Sequence, residues 1–207
     1  MKTLLKSIQI GLHFLVHPRE SVDELQTSTQ TPRLAWSFLL FCLILWTLVT
    51  AYVNLVLGQT SRGREVVLNV SLGPDIIVTL LTLPLGVLAV ALAAFLFSQV
   101  AHWLGGNSEF KLTFYTLAFT LNAGSIFFDY PHEVGWAVST QAPWQLWEYF
   151  PGFRIYSAVV MFAPIMWSLS VTVIALAQLH RITLIKSLLV FLVSVLPIFA
   201  MLIFVVM

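Results

Sequence analysis

Hydrophobic and polar positions divide this chain into long apolar runs separated by short polar segments. A helix needs about 20 predominantly apolar residues to cross a bilayer. Five runs come near or exceed that length, and we predict a membrane span in each: residues 34–57, 76–104, 112–128, 155–179 and 184–207. Their interiors contain no Asp, Glu, Lys or Arg, and Lys186 stands at the start of the last. The pattern predicts an all-α, polytopic bundle of five transmembrane helices.

In the first 17 residues the polar positions recur every three or four residues, which predicts an amphipathic helix over residues 3–16. Its apolar face is predicted to hold Leu4, Leu5, Ile8, Leu12, Leu15 and Val16, and its polar face Lys2, Lys6, Gln9, His13 and His17. Such a helix lies on a membrane surface; the alternative is that its apolar face packs against the bundle. A cleaved signal peptide fits less well, because Lys6, Gln9 and His13 interrupt the apolar segment and no small-residue cleavage site follows.

Residues 18–33 predict a second short helix before the first span. Pro18 suits the first turn of a helix, and acidic residues follow it. Thr31 and Pro32 have the character of a cap and a first helical residue. We therefore predict a region of two cytoplasmic helices over residues 1–33 and a membrane domain over residues 34–207.

Composition supports the membrane assignment and narrows the function. Of 207 residues, 59% are hydrophobic and 9% are charged, whereas a soluble domain carries about 25% charged residues. The formal net charge of +1 gives no reason to expect a nucleic-acid partner. Cys42 is the single cysteine and cannot form an intrachain disulfide.

The distribution of Lys and Arg predicts the orientation, because cytoplasmic loops carry an excess of both. With the N-terminus in the cytoplasm, seven basic residues lie inside and three outside. The inside set is Lys2, Lys6, Arg19, Arg33, Lys111, Arg181 and Lys186, and the outside set is Arg62, Arg64 and Arg154. Five spans then place the C-terminus outside, in a protein of the cell's inner membrane.

A tight turn is predicted between the second and third spans. Gly105 and Gly106 end the second span, and glycine is the usual residue where a helix ends in a left-handed conformation. Asn107 or Ser108 can cap the following helix, and Glu109 places a carboxylate in its first turn. A tight helical hairpin is a sufficient explanation for both glycines, and we expect a positive φ at one of them.

The residues around this turn resemble the Yip domain family, the Ypt-interacting multi-pass membrane proteins, in its short prokaryotic form. The matching positions are Gln99, His102, Leu104, Gly105, Gly106, Asn107, Phe110 and Thr113, with His17-Pro18-Arg19-Glu20 and Leu25 ahead of the first span. The resemblance runs from about residue 15 through the fifth span. It implies a five-span protein with a cytoplasmic N-terminus.

The resemblance also bears on partners. Eukaryotic members act in membrane traffic and bind small GTPases, in part through long cytosolic N-termini. Here 33 residues precede the first predicted span, and they are basic and amphipathic. We therefore expect the lipid bilayer, other membrane proteins or further copies of the chain as partners, and no small GTPase.

Polar residues within the apolar runs are candidates for a binding site. Ser98, Gln99 and His102 form the polar end of the second span, next to Gly105 and Gly106, and Asn122 lies in the third. One interpretation is hydrogen bonding between helices. The other is a polar pocket near the cytoplasmic side, with His102 as its titratable group. The absence of an intramembrane carboxylate argues against a proton- or sodium-coupled pump.

Prolines interrupt three spans at similar distances from their outer ends: Pro84, Pro164 and Pro197. Each removes a backbone N–H donor and frees a carbonyl. Three independent kinks are one interpretation. The other is a shared outer vestibule that admits lipid or solute between splayed helices.

Signals for catalysis and metal binding are weak. No phosphate loop, nucleophile elbow or H-E-x-x-H motif is present. Asp129, His132 and Glu133 form a small cluster in a Trp-rich outer segment, which is typical of solvated residues at a membrane interface. We expect no cofactor, metal or enzymatic activity. The favoured function is a scaffold that organises membrane proteins or lipids, and the alternative is a facilitator for a small or lipid-like solute.

Overall fold

A computed structural model describes residues 2–61, 72–107, 109–124, 126 and 151–194. The elements with defined bounds in this part are helices: α1 Lys2–Val16, α2 Pro18–Thr27, α3 Thr31–Ser61, α4 Leu72–Trp103, α5 Phe110–Gly124, α6 Pro151–His180 and α7 Leu184–Ser194. The described part is therefore all-helical, in agreement with the predicted fold class.

Two helical segments in the described residues are long and apolar enough to cross a membrane. They are Thr31–Val49 and Leu83–Trp103, within α3 and α4. Met166–His180 and Leu184–Ser194 are bent by 113° and add a third if they form one broken span. The predicted fourth span lies within α6, and the third and fifth begin in α5 and α7 and extend past their described ends. The number five stays a prediction.

The N-terminal segment forms the two predicted short helices, joined at His17. α1 ends at Val16, and Pro18 occupies the first turn of α2. α3 begins at Thr31, but the Thr31 hydroxyl donates to the carbonyls of Leu25, at 2.8 Å, and Ser28, at 2.9 Å. Thr31 thus ties the end of α2 to the start of α3, instead of capping α3 as predicted.

α1 packs against the bundle, on a face rotated from the predicted one. Leu5, Leu12 and Val16 of the predicted apolar face are exposed. The buried residues are Ser7, Ile10, Gly11, Phe14 and Leu15. A Cβ added at Gly11 would stand 2.6 Å from the Phe38 ring. The prediction followed the large apolar residues and therefore chose another face. The close approach of α1 to the bundle depends on small residues.

The chain forms two compact units. The first contains the described residues of Met1–Leu39, Val87–Ala123 and Ser168–Met207. Its core holds a group of stacked rings, Phe14 on Phe119 at 5.5 Å and Phe38 on Phe119 at 4.9 Å, with Phe97 against Phe191 at 5.7 Å. Buried alanines let the helices approach closely; they are Ala35, Ala93, Ala94, Ala101, Ala118, Ala123, Ala175 and Ala177.

The second unit contains the described residues of Leu40–Gly86 and Gly124–Trp167. A Cβ added at Gly86 of α4 would meet the Leu43 side chain of α3 at 2.4 Å, so these two helices touch where α4 lacks a side chain. Cys42 is buried in this unit.

Candidate functional site

The turn between α4 and α5 closes through a pair of hydrogen bonds that use backbone groups only. Gly105 has φ 83°, as predicted for one of the two glycines. The Gly106 N–H donates to the Ala101 carbonyl at 2.9 Å, and the Gly105 N–H donates to the His102 carbonyl at 3.0 Å. This is the Schellman arrangement, which satisfies carbonyls that the helix leaves free.

The turn between α6 and α7 has the same geometry without a glycine. Arg181 has φ 54°, and the Ile182 N–H donates to the Ala177 carbonyl at 3.1 Å. An L-residue in the left-handed region costs about 1–2 kcal/mol, so the surrounding contacts must favour this conformation. No glycine marks this turn in the sequence.

The two turns contact each other through their backbones. The Asn107 N–H donates to the His180 carbonyl at 3.0 Å. A Cβ added at Gly106 would lie 3.1 Å from that carbonyl oxygen and 3.0 Å from Cγ2 of Ile182. The same Cβ would lie 3.0 Å from the Ala101 carbonyl oxygen, so both its own turn and the neighbouring turn favour glycine at position 106, whereas position 105 favours glycine through its positive φ.

The buried imidazole of His180 also links the α6–α7 turn to the α4–α5 turn. Its Nδ1 bonds the Asn107 carbonyl, and its Nε2 lies 3.3 Å from the Thr113 hydroxyl. A carbonyl can only accept, so Nδ1 carries a proton. The Thr113 hydroxyl can donate either to Nε2 or to the Glu109 carbonyl, 2.9 Å away. His180 thus joins the end of α6 to the first turn of α5.

Lys186 adds a third link between the turns. Its Nζ donates to the Leu104 carbonyl at 2.9 Å. Leu104 lies just past the end of α4, where basic side chains bond free carbonyls and interact favourably with the helix dipole. We call the set Leu104, Gly106, Asn107, Thr113, His180 and Lys186 the turn clasp.

The helices behind the clasp are joined by hydroxyl groups. Ser168 of α6 donates to the Thr120 carbonyl of α5 at 3.1 Å, and Ser187 of α7 donates to the Val173 carbonyl of α6 at 2.7 Å. The hydroxyl oxygens of Thr116 and Thr120 are buried and have no hydrogen-bond partner among the described residues. We call Thr116, Thr120 and Ser168 the α5 seam.

The comparison with known families decides the identity of the fold. Residues 12–207 match the family model of the Yip1 domain. The chain belongs to the Yip1 domain family. No curated protein and no solved structure gives a match. The resemblance read from the hairpin residues is confirmed, and with it the assignment as a membrane protein.

In this Yip1-domain chain the candidate pocket residues lie in different environments. Ser98 is buried, but its hydroxyl donates to the Phe95 carbonyl of its own helix at 2.9 Å. Gln99 and His102 are exposed. Asn122 donates to the Ala118 carbonyl at 2.9 Å, also within its own helix. None of these bonds joins one candidate to another, and a binding role for them stays a prediction.

His102, the titratable group of the predicted polar pocket, is exposed, whereas His180 is buried. It was missed because it follows the predicted fourth span directly and so had the character of a loop residue. The one feature of the sequence that could have drawn attention to it is the His180-Arg181 pair in the short segment between the fourth and fifth predicted spans. Only the approach of the α4–α5 turn shows that this histidine is enclosed.

The vestibule residues of the Yip1-domain chain are only partly described. α4 runs through Pro84 without ending, and α6 runs through Pro164. Pro197 and the Asp129, His132 and Glu133 cluster lie outside the described residues, as does the Trp-rich outer segment. Within the described residues, no group of three His, Cys, Asp or Glu side chains is placed to hold a metal ion.

Proposed function

We propose that this Yip1-domain chain is a non-enzymatic scaffold that organises membrane proteins or lipids in the cell's inner membrane. The observation that carries the proposal is the filled interior of the first unit. Phe119 is stacked on both Phe14 and Phe38, and alanines bring the surrounding helices together. A facilitator needs a continuous lined cavity, whereas stacked rings and closely packed alanines lie in the described core of this unit.

The polar groups of that interior support the same conclusion. Buried hydroxyls mostly donate to carbonyls of their own or an adjacent helix, as Ser98 and Thr172 do. Such bonds satisfy the helix and leave little to bind a moving solute. The turn clasp then holds α4, α5, α6 and α7 together at one end. Helices linked in this way suit a scaffold better than a facilitator whose helices must separate.

The alternative is a facilitator for a small or lipid-like solute, through proline-kinked helices. The partnerless hydroxyls of Thr116 and Thr120 favour it, because buried polar groups usually find a partner or an ordered water. They are neighbours on one face of α5, one turn apart. A hydrated path along α5 and α6 would satisfy both.

We further propose five spans, a cytoplasmic N-terminus, an outer C-terminus, and an α1 that lies at the membrane interface. Exposed apolar residues on α4 and α7, among them Leu88 and Leu189, fit lipid contact. Leu5, Leu12 and Val16 of α1 are also exposed and would meet lipid, while Phe14 anchors the opposite side of the helix to the bundle.

Reconstitution into liposomes separates the two functions. A scaffold should leave the permeability to water, glycerol, Na⁺ and K⁺, and the rate of lipid flipping, equal to those of protein-free liposomes. Copies labelled with donor and acceptor dyes should show energy transfer above random proximity at high lipid-to-protein ratios. A solute flux or lipid flipping well above the protein-free control would establish the facilitator. The absence of both flux and self-association would contradict the scaffold in its homo-oligomeric form.

A further inference from the structure

The side chains of α1 fall into three sectors instead of two. One sector is buried against the bundle and includes Phe14. At about 100° per residue, the next sector carries Leu5, Leu12 and Val16, all exposed. The third carries the exposed polar residues Lys2, Lys6 and Gln9, followed by His13 and His17. An exposed apolar stripe beside a cationic stripe is the pattern of a helix at an anionic membrane surface.

Two histidines at the end of the cationic stripe share one carboxylate. Nε2 of His13 lies 3.8 Å from one oxygen of Glu20, and Nδ1 of His17 lies 4.0 Å from the other. The two imidazole rings are 5.0 Å apart. Nδ1 of His13 is also 2.9 Å from the Ser21 hydroxyl, which holds the ring in place.

Protonation improves this arrangement. The Ser21 hydroxyl can donate to the His17 carbonyl, 2.9 Å away, and accept from Nδ1 of His13. Nε2 of His13 then needs its own proton in order to donate toward Glu20, and only the imidazolium has both protons. With both rings neutral the cluster carries the negative charge of Glu20, and with both protonated its net charge is positive.

The charged groups around the histidines come from α1 and α2. On α1 they are Lys2 and Lys6, and on α2 Arg19, Glu20, Asp23 and Glu24, of which Asp23 accepts a hydrogen bond from Gln178 of α6. α3 and α5 present the aromatic side chains of Phe38 and Phe119 to α1. Glu20 therefore provides the close negative charge, and the histidines decide whether it is offset.

We propose that α1 is a pH-sensitive contact for anionic lipid headgroups, in which protonation of His13 and His17 adds to the positive charge of Lys2 and Lys6. The inference rests on the proposed interfacial position of α1. Imidazole is the side chain that ordinarily changes its charge between about pH 5 and 8. The contact is therefore weak in alkaline conditions and strengthens as the pH falls.

Quenching by lipid measures this contact in the full-length protein. A fluorophore is attached to Leu12→Cys in a Cys42→Ala background, and the protein is reconstituted into vesicles of brominated phosphatidylcholine or brominated phosphatidylglycerol. The ratio of quenching gives the preference for anionic lipid at α1. It should rise about fivefold per added charge between pH 8 and pH 5. The double variant His13→Gln and His17→Gln should keep the alkaline ratio throughout.

Glu20→Gln supplies a second variant, which leaves both histidines in place. It should raise the preference for anionic lipid at pH 8, whereas Glu24→Gln, an equal change of charge elsewhere on α2, should raise it less. Equal quenching by both lipids at every pH would overturn the inference and leave α1 at the interface. Absence of quenching by either lipid would overturn the interfacial position and the inference together.

Discussion

Gly106 and His180 lie so close that a Cβ added to Gly106 would stand 3.1 Å from the His180 carbonyl oxygen. Gly106 lies just past the end of α4 and His180 is the last residue of α6, and the Asn107 N–H beside Gly106 bonds the same carbonyl. This contact gives the glycine pair two separate roles. Gly105 bends the chain, and Gly106 admits a second turn.

The two roles predict different responses to substitution. Gly105→Ala should lower the free energy of unfolding by about 1 kcal/mol because of its positive φ, and Gly105→Asn by less, because asparagine tolerates that region. In the part of the chain that the structure describes, no atom lies within 4 Å of a Cβ added at Gly105, so packing should add nothing. Gly106→Ala should cost about 1–3 kcal/mol by overpacking. Thermal unfolding in detergent, followed by size-exclusion chromatography, measures both.

Asparagine discriminates between these causes. At position 105 it should recover part of the stability lost with alanine, while at position 106 it should be worse than alanine. Equal recovery by asparagine at both positions would mean that the two glycines serve one backbone requirement, contrary to the contact with His180.

His180 is predicted to stabilise the clasp through both ring nitrogens. His180→Leu leaves the Asn107 carbonyl without its side-chain donor, which should cost about 1–3 kcal/mol. Thr113→Val should cost about 0.6 kcal/mol, as hydrogen bonds inside membrane proteins do on average. A double-mutant cycle should show positive coupling between the two residues. Strict additivity would show that the 3.3 Å contact between Nε2 and the Thr113 hydroxyl contributes nothing.

The hydrophobic pattern predicted the helices and the α4–α5 turn because each depends on local sequence. Apolar run lengths place α3, α4 and α6, and paired glycines mark a helix end. The contact between the turns depends on which helices become neighbours, and this is why the pattern selected His102, which is exposed, and passed over His180, which is buried. Arg181 adopts a left-handed conformation that its residue type does not predict.

The same reasoning explains the rotated face of α1. Counting large apolar side chains selects the stripe with Leu5 and Leu12, but a helix packs closely where its own side chains are small. Ser7 and Gly11 provide that approach, and Phe14 fills the space beside Phe119. Small residues carry little hydrophobic signal, so composition alone could not identify the packed face.

Phe14 and Leu12 provide a matched pair for testing how α1 is held. Phe14 is fully buried, and Phe14→Ala should cost about 3–5 kcal/mol of stability. Leu12 is 41% exposed, and Leu12→Ala should change stability by less than about 0.5 kcal/mol. Thermal unfolding of both variants in the same detergent gives the comparison. Equal, small losses would indicate that α1 is not packed against the bundle.

The orientation makes a separate prediction. Reporter fusions after Lys111 and after Met207 should report opposite compartments, with Lys111 in the cytoplasm, because of the uneven distribution of Lys and Arg. A cytoplasmic signal from both would remove one of the five spans. The third span would be the first to question, since α5 covers only 15 described residues.

Water accessibility of the α5 seam tests most directly whether the interior is packed as a scaffold requires. Thr116→Cys and Thr120→Cys are each made in a Cys42→Ala background, with Glu109→Cys on the exposed turn as the control, and treated with a membrane-impermeant cationic thiol reagent. Packing predicts rapid modification at position 109 and essentially none at 116 or 120 until the protein is unfolded. Modification of 116 and 120 within about tenfold of the control rate, a difference of about 1.4 kcal/mol, would reveal a water-filled path and contradict the scaffold.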